Sequence, residues 1–167
     1  MFRFNGFTQK ANNAINLSIT QAASLGHTYI GSEHLLAGLL KEGSGVAYNA
    51  LAQRNITYTL YRELLTKTIG KGAQSTLTPE DFTPRCKRIL EAAIAEARGL
   101  GNSYVGTEHI LIGILKETDS YAVRFLKEMG VDCDQIYSTL AVVIGVESND
   151  AGDKAKRAAS KTTRTAT

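Results

Sequence analysis

Tyr29-Ile30-Gly31-Ser32-Glu33-His34 recurs 75 residues later as Tyr104-Val105-Gly106-Thr107-Glu108-His109. Outward from this stretch the match continues without a gap, so that residues 7–70 lie on residues 82–145. Of the 64 aligned pairs 20 are identical, and 11 of these fall within the 18 positions from Leu25 to Glu42, so the likeness is concentrated around the quoted stretch. A fixed period within one chain marks a duplicated folding unit. The chain therefore divides into a first repeat (1–70), a linker (71–81), a second repeat (82–145) and a tail (146–167).

Within each copy the apolar residues follow helical spacing. Thr8 and Thr83 are good N-caps, and Pro84 suits a first helical position. Ala11, Ile15, Ile19 and Ala22 form one apolar stripe, answered by Cys86, Leu90, Ile94 and Ala97. Gly26 and Gly101 supply the left-handed residue that closes this helix. Ser32 and Thr107 read as the caps of a second helix, with Glu33 and Glu108 in its first turn. Leu35, Leu36, Leu39 and Leu40 match Ile110, Leu111, Ile114 and Leu115 along it. Gly38 and Gly113 inside this helix predict close approach of another backbone. A third helix carries Val46, Ala47, Ala50 and Leu51, or Tyr121, Ala122, Phe125 and Leu126, and closes at Asn55 or Gly130. The fourth carries Leu60, Leu64 and Leu65, or Ile136, Leu140 and Val143, and ends at Gly70 or Gly145. No segment alternates as a strand would, and Lys71 to Asp81 reads as a loop. The expectation is an all-α protein of eight helices, four per repeat.

Composition narrows the function classes. With 43% hydrophobic and 21% charged residues the chain can bury a real core. There is no apolar run near the ~18 residues of a membrane span, and Met1 to Gly6 has no signal-peptide character, which predicts a cytoplasmic protein without a membrane partner. The net charge of +3 points toward nucleic acid until it is located. Lys154, Lys156, Arg157, Lys161 and Arg164 stand against Asp153 beyond residue 150, leaving 14 basic and 15 acidic residues in the first 150. A near-neutral folded part argues against a nucleic-acid partner. The tail, poor in large apolar residues, reads as a flexible linker. Cys86 and Cys133 fit neither a disulfide framework nor a metal pattern, and read as small core or boundary residues.

No nucleophile stands with a base, and Thr68-Ile69-Gly70-Lys71-Gly72 lacks the spacing of a phosphate loop. Neither a catalytic residue, a metal nor a cofactor is expected. Glu33-His34 and Glu108-His109 are the repeated polar pairs. Neighbours on a helix diverge by about 100°, so the two side chains of a pair cannot easily share one ligand atom. The histidines read as structural, packed on the loop and bonded to a backbone carbonyl. The glutamates have two readings. In one they stabilise the helix dipole from an exposed first turn. In the other, each carboxylate joins N-terminal N–H groups and a hydroxyl in a site that binds a cation and an anion together, the two halves of a phosphorylated arginine.

Phe7-Thr8, Gly26-His27, Ile30-Gly31-Ser32-Glu33-His34-Leu35-Leu36 and Lys41-Glu42-Gly43, taken with their aligned counterparts 75 residues on, resemble the Clp N-terminal repeat domain. That is the double four-helix module, with pseudo-twofold repeats, at the front of AAA+ unfoldases of the ClpC type. The resemblance covers about residues 2–145. It implies a non-catalytic domain, monomeric by itself, that captures adaptor proteins and protein substrates. The ATP-driven ring of the parent chain then feeds them to the ClpP peptidase. It implies that the glutamate of each Gly-Ser/Thr-Glu-His motif binds phosphoarginine with the threonine of Phe-Thr: Glu33 with Thr8, and Glu108 with Thr83. Ser32 replaces the usual threonine, and Thr118-Asp119-Ser120-Tyr121 and Phe4-Asn5-Gly6-Phe7 depart from the family pattern. The residues also fit a free-standing helical interaction regulator of the same fold without an ATPase.

Overall fold

The computed structural model describes residues 1–155, with side chains through Ile144. Among the described residues eight α-helices follow one another: α1 (Gln9–Ser24), α2 (Ser32–Glu42), α3 (Gly45–Ala52), α4 (Tyr58–Ile69), α5 (Pro84–Gly99), α6 (Thr107–Lys116), α7 (Tyr121–Glu128) and α8 (Cys133–Ala155). One turn of 3-10 helix, Pro79–Asp81, capped by Thr78, interrupts the linker read as loop. The fold is all-α, and the extended backbone among the described residues amounts to two single-residue bridges.

The helix ends have local causes. Thr8 accepts a hydrogen bond from the Ala11 N–H at 3.1 Å, and Thr83 accepts one from the Cys86 N–H at 3.0 Å, which satisfies donors that the first turns of α1 and α5 leave open. Asn55, at a φ of 64°, closes α3 in the left-handed region that few residues other than glycine enter.

Each repeat is built on a tight hairpin, α1 on α2 and α5 on α6, and Gly38 and Gly113 are what make it tight. A Cβ built on Gly38 would run into the Ala14 carbonyl oxygen, and one on Gly113 would sit 2.7 Å from the Ile89 carbonyl oxygen. The repeats then interlock. α3 packs on α6 and α2 on α7, so the third helix of each copy lies against the second helix of the other. The buried side chains form one continuous cluster running from Ala11 to Ile144 through both copies. A duplicated sequence thus gives one core rather than two.

The opening residues of each repeat also cross over. The Thr8 N–H donates to the Val105 carbonyl at 2.9 Å and the Val105 N–H to the Gly6 carbonyl at 2.8 Å. At the positions 75 residues removed, the Ile30 N–H donates to the Asp81 carbonyl at 2.9 Å and the Thr83 N–H to the Ile30 carbonyl at 3.0 Å. The same bonds made in both directions are the signature of a pseudo-twofold axis between the copies.

Three expectations need correction. Gly31 and Gly106 are the N-caps of α2 and α6; Ser32 and Thr107 sit one residue inside. Their hydroxyls instead serve the opposite repeat, Ser32 Oγ accepting from the Ala122 N–H at 3.2 Å and Thr107 Oγ1 from the Ala47 N–H at 3.4 Å. Leu60 is 51% exposed, and Tyr61 takes its expected place in the core with Leu65. Finally, α8 does not stop at Gly145 but runs to Ala155. An interior glycine costs about 1 kcal/mol relative to alanine, which elongation of an already anchored helix offsets. The tail expected to be flexible therefore begins as helix, and its residues 156–167 lie outside those described.

Candidate functional site

Glu33 is not on an exposed first turn. It is 2% exposed, its carboxylate accepting a hydrogen bond from the Tyr29 hydroxyl at 3.0 Å, while the Tyr61 hydroxyl donates to its backbone carbonyl at 2.7 Å. Burial, reinforced by the negative Glu33 carboxylate, holds both phenols well above their ordinary pKa. The same two causes push the Cys86 thiol up to about 12. Glu33 lies beside the start of a helix from the other repeat, because the backbone of Thr83, the cap of α5, is bonded to Ile30 and α2 packs on α5.

That finding changes the expected pairing. The motif match joined Glu33 with Thr8 and Glu108 with Thr83, but the crossed backbone bonds exchange the partners. Thr83 is bonded to Ile30, three residues before Glu33, and Thr8 to Val105, three residues before Glu108. Each candidate site therefore draws its carboxylate from one copy and its threonine from the other. Sequence alignment of the copies is blind to this, because an exchange across a twofold axis leaves every internal match unchanged.

At each site two helix N-termini converge, α2 with α5 at Glu33 and α6 with α1 at Glu108. Helix starts concentrate N–H donors and partial positive charge. Thr8 Oγ1 already accepts the cap bond from Ala11, which leaves its hydroxyl proton free to donate outward. The arrangement offers a carboxylate for a cation and amide and hydroxyl donors for an anion. Beside Thr8 a cavity of about 520 Å3 opens, lined by Phe2, Arg3, Phe7, Asn12 and Tyr104 among others.

The histidines are structural, by a different bond from the one expected. His34 Nδ1 accepts from the Gly31 N–H at 3.0 Å, and His109 Nδ1 from the Gly106 N–H at 2.9 Å, each acting as the side-chain half of a capping box. The geometry fixes the tautomers. With Nδ1 accepting, His34 Nε2–H donates to His27 Nδ1 at 2.7 Å, and His27 Nε2–H donates to the Gly70 carbonyl at 2.9 Å. In the second repeat His109 Nε2–H donates to Asn102 Oδ1 at 2.9 Å. Burial first, then the neighbouring His27, lowers the His34 pKa from 6.5 to about 3. His27, Tyr29 and Tyr61 escaped the sequence reading as parts of the site. Asn102 stands opposite His27 and Ile136 opposite Tyr61, so the internal comparison that singled out Glu33 gave those two no weight, whereas Tyr29 is repeated as Tyr104 but carries no charge to mark it as a ligand group.

Among the described residues, no group of three or more His, Cys, Asp or Glu side chains could hold a metal ion, and no helix is long and apolar enough to cross a membrane.

Comparison with known proteins adds the family. The model of the Clp repeat (R) N-terminal domain matches residues 6–129 and 81–166. A "ClpA homolog" ATP-binding subunit of the ATP-dependent Clp protease, from Porphyra purpurea, is 39% identical over 161 residues, covering 95% of this chain and 20% of the relative. "Chaperone protein ClpC2, chloroplastic" from Arabidopsis thaliana is 40% identical over 147 residues, covering 88% of this chain and 15% of the relative. The chain thus spans a fifth or less of the length of these relatives. Among solved structures, the N-terminal domain of the chaperone ClpD from Arabidopsis thaliana superposes with a TM-score of 0.71 at 28% identity, over 86% of this chain and 97% of that one.

Proposed function

The chain belongs to the Clp repeat N-terminal domain family, and on that premise we propose that it is a substrate- and adaptor-recognition domain of a ClpC-like ATP-dependent unfoldase. In this reading the domain is non-catalytic. ATP acts in the AAA+ ring of the parent protein, and captured chains pass from that ring to the ClpP peptidase. The relatives named ClpA and ClpC support the parent's class.

The ligand of the two composite sites, on this proposal, is phosphoarginine on a marked protein. The observation that carries it is the placing of a repeated carboxylate where two helix starts are bonded together, Glu33 in the first turn of α2 beside the start of α5 and Glu108 in the first turn of α6 beside Thr8. A guanidinium engages a carboxylate in a planar fork, and a phosphoryl group attached to it reaches the amide and threonine donors. An unmodified arginine would satisfy the carboxylate and leave those donors unused. A phosphoserine would do the reverse.

Titration calorimetry with free phosphoarginine tests the reading. The intact domain is expected to bind it, arginine and phosphoserine are expected to bind far more weakly, and Glu33→Ala with Glu108→Ala is expected to abolish binding. Loss of one buried charge-assisted contact is worth about 1.5–3 kcal/mol, or tenfold and more in affinity. An intact domain that takes up no phosphoarginine would overturn the proposal.

A further inference from the structure

The two sites are duplicated in sequence but differ in state. Glu33 is 2% exposed beneath Tyr29, whereas Glu108 is half-buried and Tyr104, the counterpart of Tyr29, is 63% exposed. We propose that Tyr29 is an intramolecular plug: its hydroxyl occupies the Glu33 carboxylate, so that the site of Glu33 and Thr83 is latent while the site of Glu108 and Thr8 stands open. This rests on the reading of both carboxylates as ligand groups.

The plug has a local cause. Tyr29 stacks on the His27 ring, with centroids 5.8 Å apart and planes within 6°, and meets the His34 ring edge-on at 5.2 Å. His27 is itself held on both sides, by His34 and by the Gly70 carbonyl. The tyrosine is thus fixed over the carboxylate by a face that is anchored to the end of α4. In the second repeat Asn102 replaces His27, and an amide offers no ring to stack on. The rim differs too. Ser32 is bonded to the first turn of α7, whose first residue is Tyr121; the corresponding residue of α3 is Val46. A ligand cation entering the first site must displace a hydrogen bond to a charged group, which weakens its binding there by about tenfold or more relative to the open site.

Carboxylate labelling of the folded domain with a carbodiimide and glycine ethyl ester, read by peptide mass spectrometry, tests the plug without any ligand. Glu108 is expected to react at least about tenfold faster than Glu33, and Tyr29→Ala is expected to raise the Glu33 rate by a similar factor. Tyr29→Phe, which keeps the stacked ring and removes the hydroxyl, serves if the alanine variant loses its helical circular dichroism. Equal reactivity of the two glutamates in the intact domain, or a Glu33 rate unmoved in a folded Tyr29 variant, overturns the plug. Calorimetry separates the two ideas: the intact domain is expected to take up one phosphoarginine tightly, and Tyr29→Ala two. Two equal sites in the intact domain would refute the plug and leave the ligand standing. No uptake with the labelling difference intact would refute the ligand and leave the plug.

Discussion

Gly38→Ala is expected to destabilise the domain by about 3 kcal/mol, although alanine is the better helix former by about 1 kcal/mol. The added Cβ collides with the Ala14 carbonyl oxygen and comes within 2.9 Å of the Ser18 backbone nitrogen and 3.1 Å of the Ser18 Cβ. All three atoms belong to α1, and two of them are backbone, so no side-chain rotation relieves the clash. α1 must move off α2, and Ala14, Ile15, Ser18 and Leu35, fully buried around that seam, lose their packing with it. Gly113→Ala meets the Ile89 carbonyl at 2.7 Å and a movable Ile89 methyl at 3.3 Å, and is expected to cost less. Urea unfolding midpoints measure both. A Gly38→Ala midpoint at or above that of the parent would contradict the packing described.

Acidification is the second large effect. With a pKa of 6.5 when unfolded and about 3 when folded, His34 binds more protons in the unfolded state between those values. Its contribution to stability is therefore whole above pH 6.5 and falls away as the pH drops toward 3, at about 1.4 kcal/mol per unit. At about pH 4.5 the loss is about 3 kcal/mol, or roughly 6–12 °C in Tm for a domain of this size. The structural reason is the chain of bonds from Gly31 through His34 and His27 to Gly70, which engages both nitrogens of each imidazole. A second proton on His34 would face the Gly31 N–H. His34→Gln keeps a side chain able to accept from that N–H, as in a capping box, and cannot titrate. Its Tm is expected to fall much less between pH 7.5 and 4.5 than that of the parent. Parallel pH profiles for the two would contradict the assignment.

The parts of the fold governed by neighbours in sequence could be read from sequence. Thr8 and Thr83 cap helices through bonds three residues long, Gly26 and Gly101 turn at φ of 75° and 76°, and Gly38 and Gly113 mark a close approach that a glycine inside an apolar helix announces. What failed to show depends on contacts across the twofold axis. Ser32 looks like the cap of α2 but accepts instead from the Ala122 N–H in the first turn of α7, 90 residues away. Thr8 and Glu33 share a copy in sequence, yet the Thr8 backbone is bonded to Val105, three residues before Glu108. Whether Glu33 is open or covered turns on His27, a residue the duplication does not repeat.

Each proposed site is assembled from both repeats. Phosphoarginine calorimetry on single and double variants tests it most directly. Thr8→Ala and Glu108→Ala are each expected to weaken the same tight site, with the double variant no weaker than the worse single one, while Thr83→Ala and Glu33→Ala leave that site intact. A tight site that survives Thr8→Ala, or one lost with Glu33→Ala, would rule out sites shared between the repeats.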